Sequence, residues 1–380
     1  MVVSIAGGVK SGKLLEIEAK LYRLLIVGKQ KSSAMLEGVD DELEAHANKL
    51  DVEREAVMSR LEKQLQSREI FEAVSVQLSE SVRRSIDFRL AEPADVLRHT
   101  NISEQQVMLL ELLQSNAPDL NQVYLYVNDL SWLVLDLTNL VNSASFRNKR
   151  PSRSEVKVSD LKLVLSFIGL ENLQTLIPYF CVRRWLPSGH ANLLWTTRKL
   201  WRHNIVTAIA SQALARASGN DEAFIYICAL LYQLGTSAIL NNSAGIYEQI
   251  WGSWLREAEA SKEREVYDAV LATDFPATQV YEKVMEYGQE LNWQLLELLG
   301  FADSRITDVL KELSYTMRYA DLSAEAALIA RGSAFAQILF LEEQRKLYPH
   351  ERDLIVDYYQ FTPEEIEMLR AQNYRKLDLV

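Results

Sequence analysis

The sequence predicts an all-α protein, and three observations carry that reading. Glycine and proline are scarce, with 14 and 8 among 380 residues, so breaks in regular structure are few. Apolar residues recur at three-four spacing rather than in strict alternation, the period of a helix and not of a strand. Capping boxes stand where two of these apolar runs begin. At 48% hydrophobic residues, the chain has ample material for a large core.

The elements follow in order. Leu14, Ile17, Leu21, Leu24 and Leu25 mark one amphipathic helix. Leu43, Ala47, Leu50, Val57 and Leu61 form a narrow apolar seam among dense charges, interrupted by Arg54. Clean heptads are not sustained, so the two helices are expected to form a hairpin packed on their own chain; a coiled-coil homodimer through the seam is the alternative. Glu92-Pro93-Ala94-Asp95 breaks the pattern, and Ser103-Glu104-Gln105-Gln106 opens the next helix as a capping box. From there to Leu322 the helices are richer in leucine and aromatic residues, as expected of elements buried on several sides. Thr362-Pro363-Glu364-Glu365 is a second capping box with proline at the first helical position. The expected organisation is a helical N-terminal region over 1–95, a main helical domain over 96–330, and C-terminal helices packed on it over 331–380. No internal repeat or low-complexity tract is present.

Composition narrows function. A net charge of -11 opposes nonspecific binding to nucleic-acid phosphates, which depends on lysines and arginines releasing counterions. Cys181 and Cys228 have no disulfide-framework or zinc spacing, which suits a reducing compartment. The apolar start over 1–8 lacks a basic flank, and no run approaches 18 uninterrupted apolar residues. A cytoplasmic protein without membrane insertion is expected.

Several motifs compete for chemistry. Gly7-Gly8-Val9-Lys10-Ser11-Gly12-Lys13-Leu14 nearly spells a phosphate-binding loop, but leucine stands where a hydroxyl would hold magnesium, and no strand–helix alternation follows. Arg147, Lys149, Arg150 and Arg153 form the one concentrated basic run; proline within it makes a loop, solvated or in contact with an acidic partner. Trp185, Trp195 and Trp201, interleaved with arginines, read as core and interface anchors on leucine-rich helices rather than base-stacking platforms. The five histidines share no helix face, and neither GxSxG nor HExxH occurs.

Four blocks carry a resemblance. They are Leu137-Thr138-Asn139-Leu140-Val141-Asn142-Ser143-Ala144-Ser145-Phe146, then Leu163-Val164-Leu165-Ser166-Phe167-Ile168-Gly169-Leu170-Glu171-Asn172-Leu173, then Leu200-Trp201-Arg202-His203-Asn204, and then Ala229-Leu230-Leu231-Tyr232-Gln233-Leu234-Gly235. In this order the segment 101–322 resembles the HDOD domain, a bacterial relative of the HD and HD-GYP phosphodiesterases. The resemblance implies an HD-like multi-helix bundle that acts in signalling or regulation, most members having lost part of the catalytic set.

By that resemblance, His203 matches the first metal ligand and Asp321 the last, while Tyr232 and Gln233 replace the central His-Asp pair. Phe275 stands where many members keep another histidine. A divalent metal wants neutral imidazole and ionised carboxylate; a phenol stays protonated near neutral pH and an amide is uncharged. No metal and no cofactor are therefore expected, and the four positions are read as a vestigial site. His203 would be a hydrogen-bonded core residue, and Tyr232 and Gln233 a hydrogen-bonded plug or the lining of a small pocket. Asp321 would be either a remaining carboxylate or a polar residue at a helix boundary. The function expected is a non-catalytic signalling protein that works through an unidentified protein partner. The alternatives are a phosphohydrolase with a rebuilt metal site, acting on nucleotides or cyclic dinucleotides, and a small-ligand or nucleotide sensor.

Overall fold

The computed structural model describes residues 12–28, 51–115, 118–147, 157–314 and 318–375. Outside these lie residues 7–11 of the glycine-rich start, the seam residues Leu43, Ala47 and Leu50, and Lys149, Arg150 and Arg153 of the basic run; the side chains of Arg54, Val57 and Leu61 lie outside as well. The described residues form α-helices and short 3-10 turns without a strand.

The chain begins with α1 (Gly12–Ile26) and the long α2 (Asp51–Leu90), followed by α3 (Pro93–Arg98) and α4 (Glu104–Leu113). Next come α5 (Leu120–Asn128), α6 (Ser131–Val141), α7 (Ala144–Arg147), α8 (Leu161–Ile168) and α9 (Leu170–Trp185). The centre is built from α10 (Leu194–Ser218), α11 (Glu222–Leu231) and α12 (Leu234–Ser261), then α13 (Arg264–Ala272), α14 (Ala277–Leu298) and α15 (Arg305–Ser314). The chain closes with α16 (Ala324–Glu343), α17 (Pro349–Tyr358) and α18 (Pro363–Arg370).

The capping boxes form as read. Gln106 Oε1 accepts from Ser103 N at 2.9 Å and also from Trp185 Nε1 at 2.8 Å, so one amide both starts α4 and ties it to α9. At α18, Thr362 N and Glu365 Oε2 meet at 2.8 Å and Glu365 N donates to Thr362 Oγ1 at 3.2 Å. Central helix α10 ends where Gly219 takes a left-handed conformation, φ 72°, which lets Asn220 N return to Ala215 O.

A single apolar core runs from Leu14 to Leu369, and the expected domain boundaries do not divide it. The 95/96 boundary falls inside α3 and the 330/331 boundary inside α16. Instead of forming a hairpin unit, α1 docks on α10, α14, α16 and α17, while α2 docks on α12 and α13. Two stretches, Glu222–Ser261 and Ala324–Glu343, are long and apolar enough to cross a membrane by length and composition, and 94% and 72% of their most apolar windows are buried inside the bundle.

The tightest packing is between α10 and α16. A Cβ at Gly332 would run into Ser211 Oγ and lie 2.8 Å from the Thr207 carbonyl oxygen, so only glycine permits the approach. Two turns away in each helix, Phe340 stacks edge-on against His203 with ring centroids 5.6 Å apart. The pairing of 332 with 211 and of 340 with 203 makes the helices antiparallel.

Candidate functional site

His203 sits in the middle of α10 and is fully buried. Its neighbours are the rings of Phe340 and, at 6.4 Å, Tyr22. Neither ring nitrogen has a hydrogen-bond partner. Loss of water with no compensating acceptor disfavours the imidazolium, and burial pushes the pKa down to about 4. The residue is therefore a core histidine, as expected, but not a hydrogen-bonded one.

Tyr232 and Gln233 form the joint between α11 and α12, where the helical ladder breaks and restarts. Asn292, from α14, braces the joint. Its Nδ2 donates to the Tyr232 carbonyl at 2.8 Å and its Oδ1 accepts from Gly235 N at 2.7 Å, satisfying two backbone groups that the break leaves open. Gly235 lies so close to α14 that an added Cβ would collide with the Gly288 carbonyl oxygen. The Tyr232 hydroxyl accepts from Gln289 Nε2 at 3.4 Å, and burial, followed by the nearby Tyr22 and Glu18, raises its pKa well above the ordinary phenol range.

The remaining partner comes from α1. Gln233 Nε2 donates to the Tyr22 hydroxyl, which places α1 directly over the joint and beside His203. The α1 face carrying Leu14, Ile17, Leu21, Tyr22 and Leu25 is buried. Its last carbonyls are capped by α10 side chains: Lys199 Nζ donates to Leu24 O at 2.9 Å and Thr196 Oγ1 to Ile26 O at 3.2 Å. On its other side Lys20 pairs with Glu351 of α17 at 2.9 Å. Burial and the Glu18 carboxylate raise the Tyr22 pKa well above its usual value, so this plug is a neutral phenol.

His203, Tyr232 and Gln233 thus come together around Tyr22. Asp321 is not among them: it lies in an exposed 3-10 turn, Tyr319–Asp321, with its carboxylate held by Arg318 at 2.9 Å. The open choice for that residue resolves to the polar helix-boundary position. Phe275 packs edge-on against Tyr247 at 5.5 Å. Arg147 ends the short α7; the rest of its basic run lies outside the described residues. Among the described residues no three His, Cys, Asp or Glu side chains converge as a metal-holding group. The donor set that His203, Tyr232 and Gln233 provide is one neutral imidazole, one phenol and one amide, which does not fit a divalent cation.

Two residues of this arrangement were not singled out from the sequence. Tyr22 shares the buried face with Leu21 and Leu25, so counting tyrosine with the apolar residues of the first helix would have marked it. Asn292 carries no local signal, because its partners are 57 and 60 positions away.

The described residues form an all-α bundle in which His203, Tyr232 and Gln233 are packed closed around Tyr22. Residues 101–274 match the family model of the HDOD domain. That match covers a little under half of the chain; it is consistent with an HDOD domain over this segment and with an HD-related signalling or regulatory role. No curated protein and no solved structure matches it. The match begins after α1 and α2, so Tyr22 enters the site from outside the family segment.

Proposed function

We propose that this protein is a non-catalytic cytoplasmic signalling protein whose HDOD bundle acts by docking a protein partner. The observation that carries this reading is the closed state of the vestigial site. Tyr22 covers Gln233 and His203 from an added helix, and hydrolysis of a phosphoester needs the opposite: an accessible cation with an open position for water. The mechanism is then conformational, helix faces engaging a partner and the partner selecting among bundle states. Both cysteines are buried and free, which fits a reducing compartment.

The test is elemental analysis of protein purified without chelator, repeated after loading with manganese and iron, alongside turnover of phosphomonoesters, nucleotides and cyclic dinucleotides. The expected result is no stoichiometric metal dependent on His203 and no turnover. Near-stoichiometric metal that disappears in His203→Ala would put the phosphohydrolase reading first.

A second reading has one observation in its favour. His203 Nδ1 and Nε2 and Gln233 Oε1 are buried without partners, a state that costs free energy and that a small hydrogen-bonding ligand would relieve. Nucleotides and neutral polar compounds screened by thermal shift test this; a ligand that raises Tm in the natural protein but not in His203→Leu would support a sensor.

A further inference from the structure

A hollow of about 410 Å³ opens along the C-terminal half of α10, a size at which small-molecule sites occur. Its walls are the first turns of α9, the last turns of α10, the turn into α11 and the residues that follow α18. Gln212, in its lining, is about 14 Å along the helix from His203, at about 1.5 Å per residue. The hollow is therefore separate from the cluster around Tyr22.

Carboxamides dominate the lining: Asn172, Gln174, Gln212, Asn220, Gln372 and Asn373. Three of them are fixed through nitrogen. Gln174 Nε2 donates to Leu113 O at 2.9 Å, Gln372 Nε2 to Met368 O at 3.1 Å and Asn220 Nδ2 to Ser218 Oγ at 2.9 Å. A carbonyl only accepts, and Ser218 Oγ gives its own hydrogen to Leu214 O, so these amide orientations are forced. Each keeps its oxygen as an acceptor with no partner among the described residues. Asn373 is the reverse case, its Oδ1 accepting from Arg375 N at 3.1 Å.

Charge points the same way as the acceptors. Glu171, Asp221 and Glu222 against Arg216 leave the lining at -2, and Arg216 is paired with Glu222 at 2.7 Å. A bare helix N-terminus attracts anions, but that of α11 is capped by Asp221, whose Oδ1 accepts from Phe224 N at 3.0 Å. Phosphates and carboxylates are therefore disfavoured. A metal ion is not served either, because no three acidic, His or Cys groups converge among the described residues. What suits an acceptor-rich, negative lining is an ammonium group, which has three donors and no acceptor. Ile209 and Ala213, one turn apart on α10, add an apolar strip, and methylenes joined to an ammonium cover such a surface as a lysine stem does.

We propose that this hollow binds a free aliphatic diamine or polyamine, with its ammonium groups at the Gln174, Asn220 and Gln372 oxygens and at Glu171, and its methylenes over Ile209 and Ala213. The test is equilibrium dialysis of the full chain against labelled spermidine at physiological salt, with circular dichroism to verify that each variant folds. The expected result is saturable binding that Glu171→Gln and Gln372→Leu each weaken about tenfold. Glu290→Gln, which removes an exposed carboxylate of α14, should leave it unchanged. Putrescine should displace the label more strongly than butylamine. No saturable binding would overturn the proposal, as would equal weakening by Glu290→Gln, which would mean that the amine meets only the general negative charge of the chain. Butylamine competing as well as putrescine would overturn it too, because a second ammonium would then contribute nothing. Tighter binding of Nα-acetyl-lysine amide than of spermidine would overturn the free amine in favour of a lysine side chain.

Discussion

The two halves of the buried polar cluster are held in different ways. At the Tyr232–Gln233 joint, Asn292 closes the two backbone groups, Gln289 reaches the phenol and Tyr22 takes the amide nitrogen. At His203, one helix away, neither ring nitrogen has a partner. The joint has its backbone groups closed and leaves one side-chain atom, Gln233 Oε1, unpaired, whereas the histidine is held in place by aromatic packing and leaves both ring nitrogens unpaired. A position on a continuous helix can hold an unpaired side chain at a fixed penalty, but a helix break must have its backbone groups satisfied whatever its side chains are.

The largest effect should come from the joint. Gly235→Ala puts a methyl into the Gly288 carbonyl, where backbone must move, and the expected loss is about 3 kcal/mol in urea unfolding. Asn292→Ala orphans the Tyr232 carbonyl and the Gly235 amide together, for about 2–4 kcal/mol by the same measurement. If either variant were neutral, the joint would not be the element described.

The His203 half should show itself through pH. Its folded pKa of about 4 lies below the unfolded value of about 6.5. Between these values the unfolded chain binds a proton that the folded protein refuses, so stability is unaffected above about pH 6.5 and falls as pH drops toward 4. The expected loss is about 3 kcal/mol at the low end. In His203→Leu this part of the slope should vanish, with stability at pH 7.5 unchanged or slightly higher because two unpaired polar atoms are gone. An unaltered slope would mean that His203 is hydrated or paired in solution. Tyr22→Phe should have the smallest effect, about 1–2 kcal/mol from the unpaired Gln233 amide, and it joins the two halves because Tyr22 touches both.

Much of this was legible in the sequence. The helical class and both capping boxes followed from local periodicity and cap residues, and the order of four blocks pointed to His203, Tyr232 and Gln233 as positions to inspect. Trp185 is the core anchor expected of it, and Trp251 is partly buried with its indole nitrogen bonded to Val270 O at 2.9 Å. Trp195 departs from that reading: it is 70% exposed with Arg198 stacked over it, because the first turn of α10 lies at the surface. The domain divisions were not legible, since proline at 93 starts a helix within the same core rather than separating two. Asp321 was left open between two readings because a Tyr-Ala-Asp string has no periodicity to fix its side, and Asn292 was missed because its work is done across the bundle.

The docking of α1 also limits what position 233 can carry. An aspartate placed there would set a carboxylate in the dry pocket already influenced by Glu18, whose charge reaches both Tyr22 and Tyr232. Two buried carboxylates without a cation oppose each other's ionisation. A charge can therefore enter position 233 only if the covering helix leaves first, and that departure uncovers the apolar face of Leu14, Ile17, Leu21 and Leu25, so α1 works as a lock that keeps the cluster uncharged.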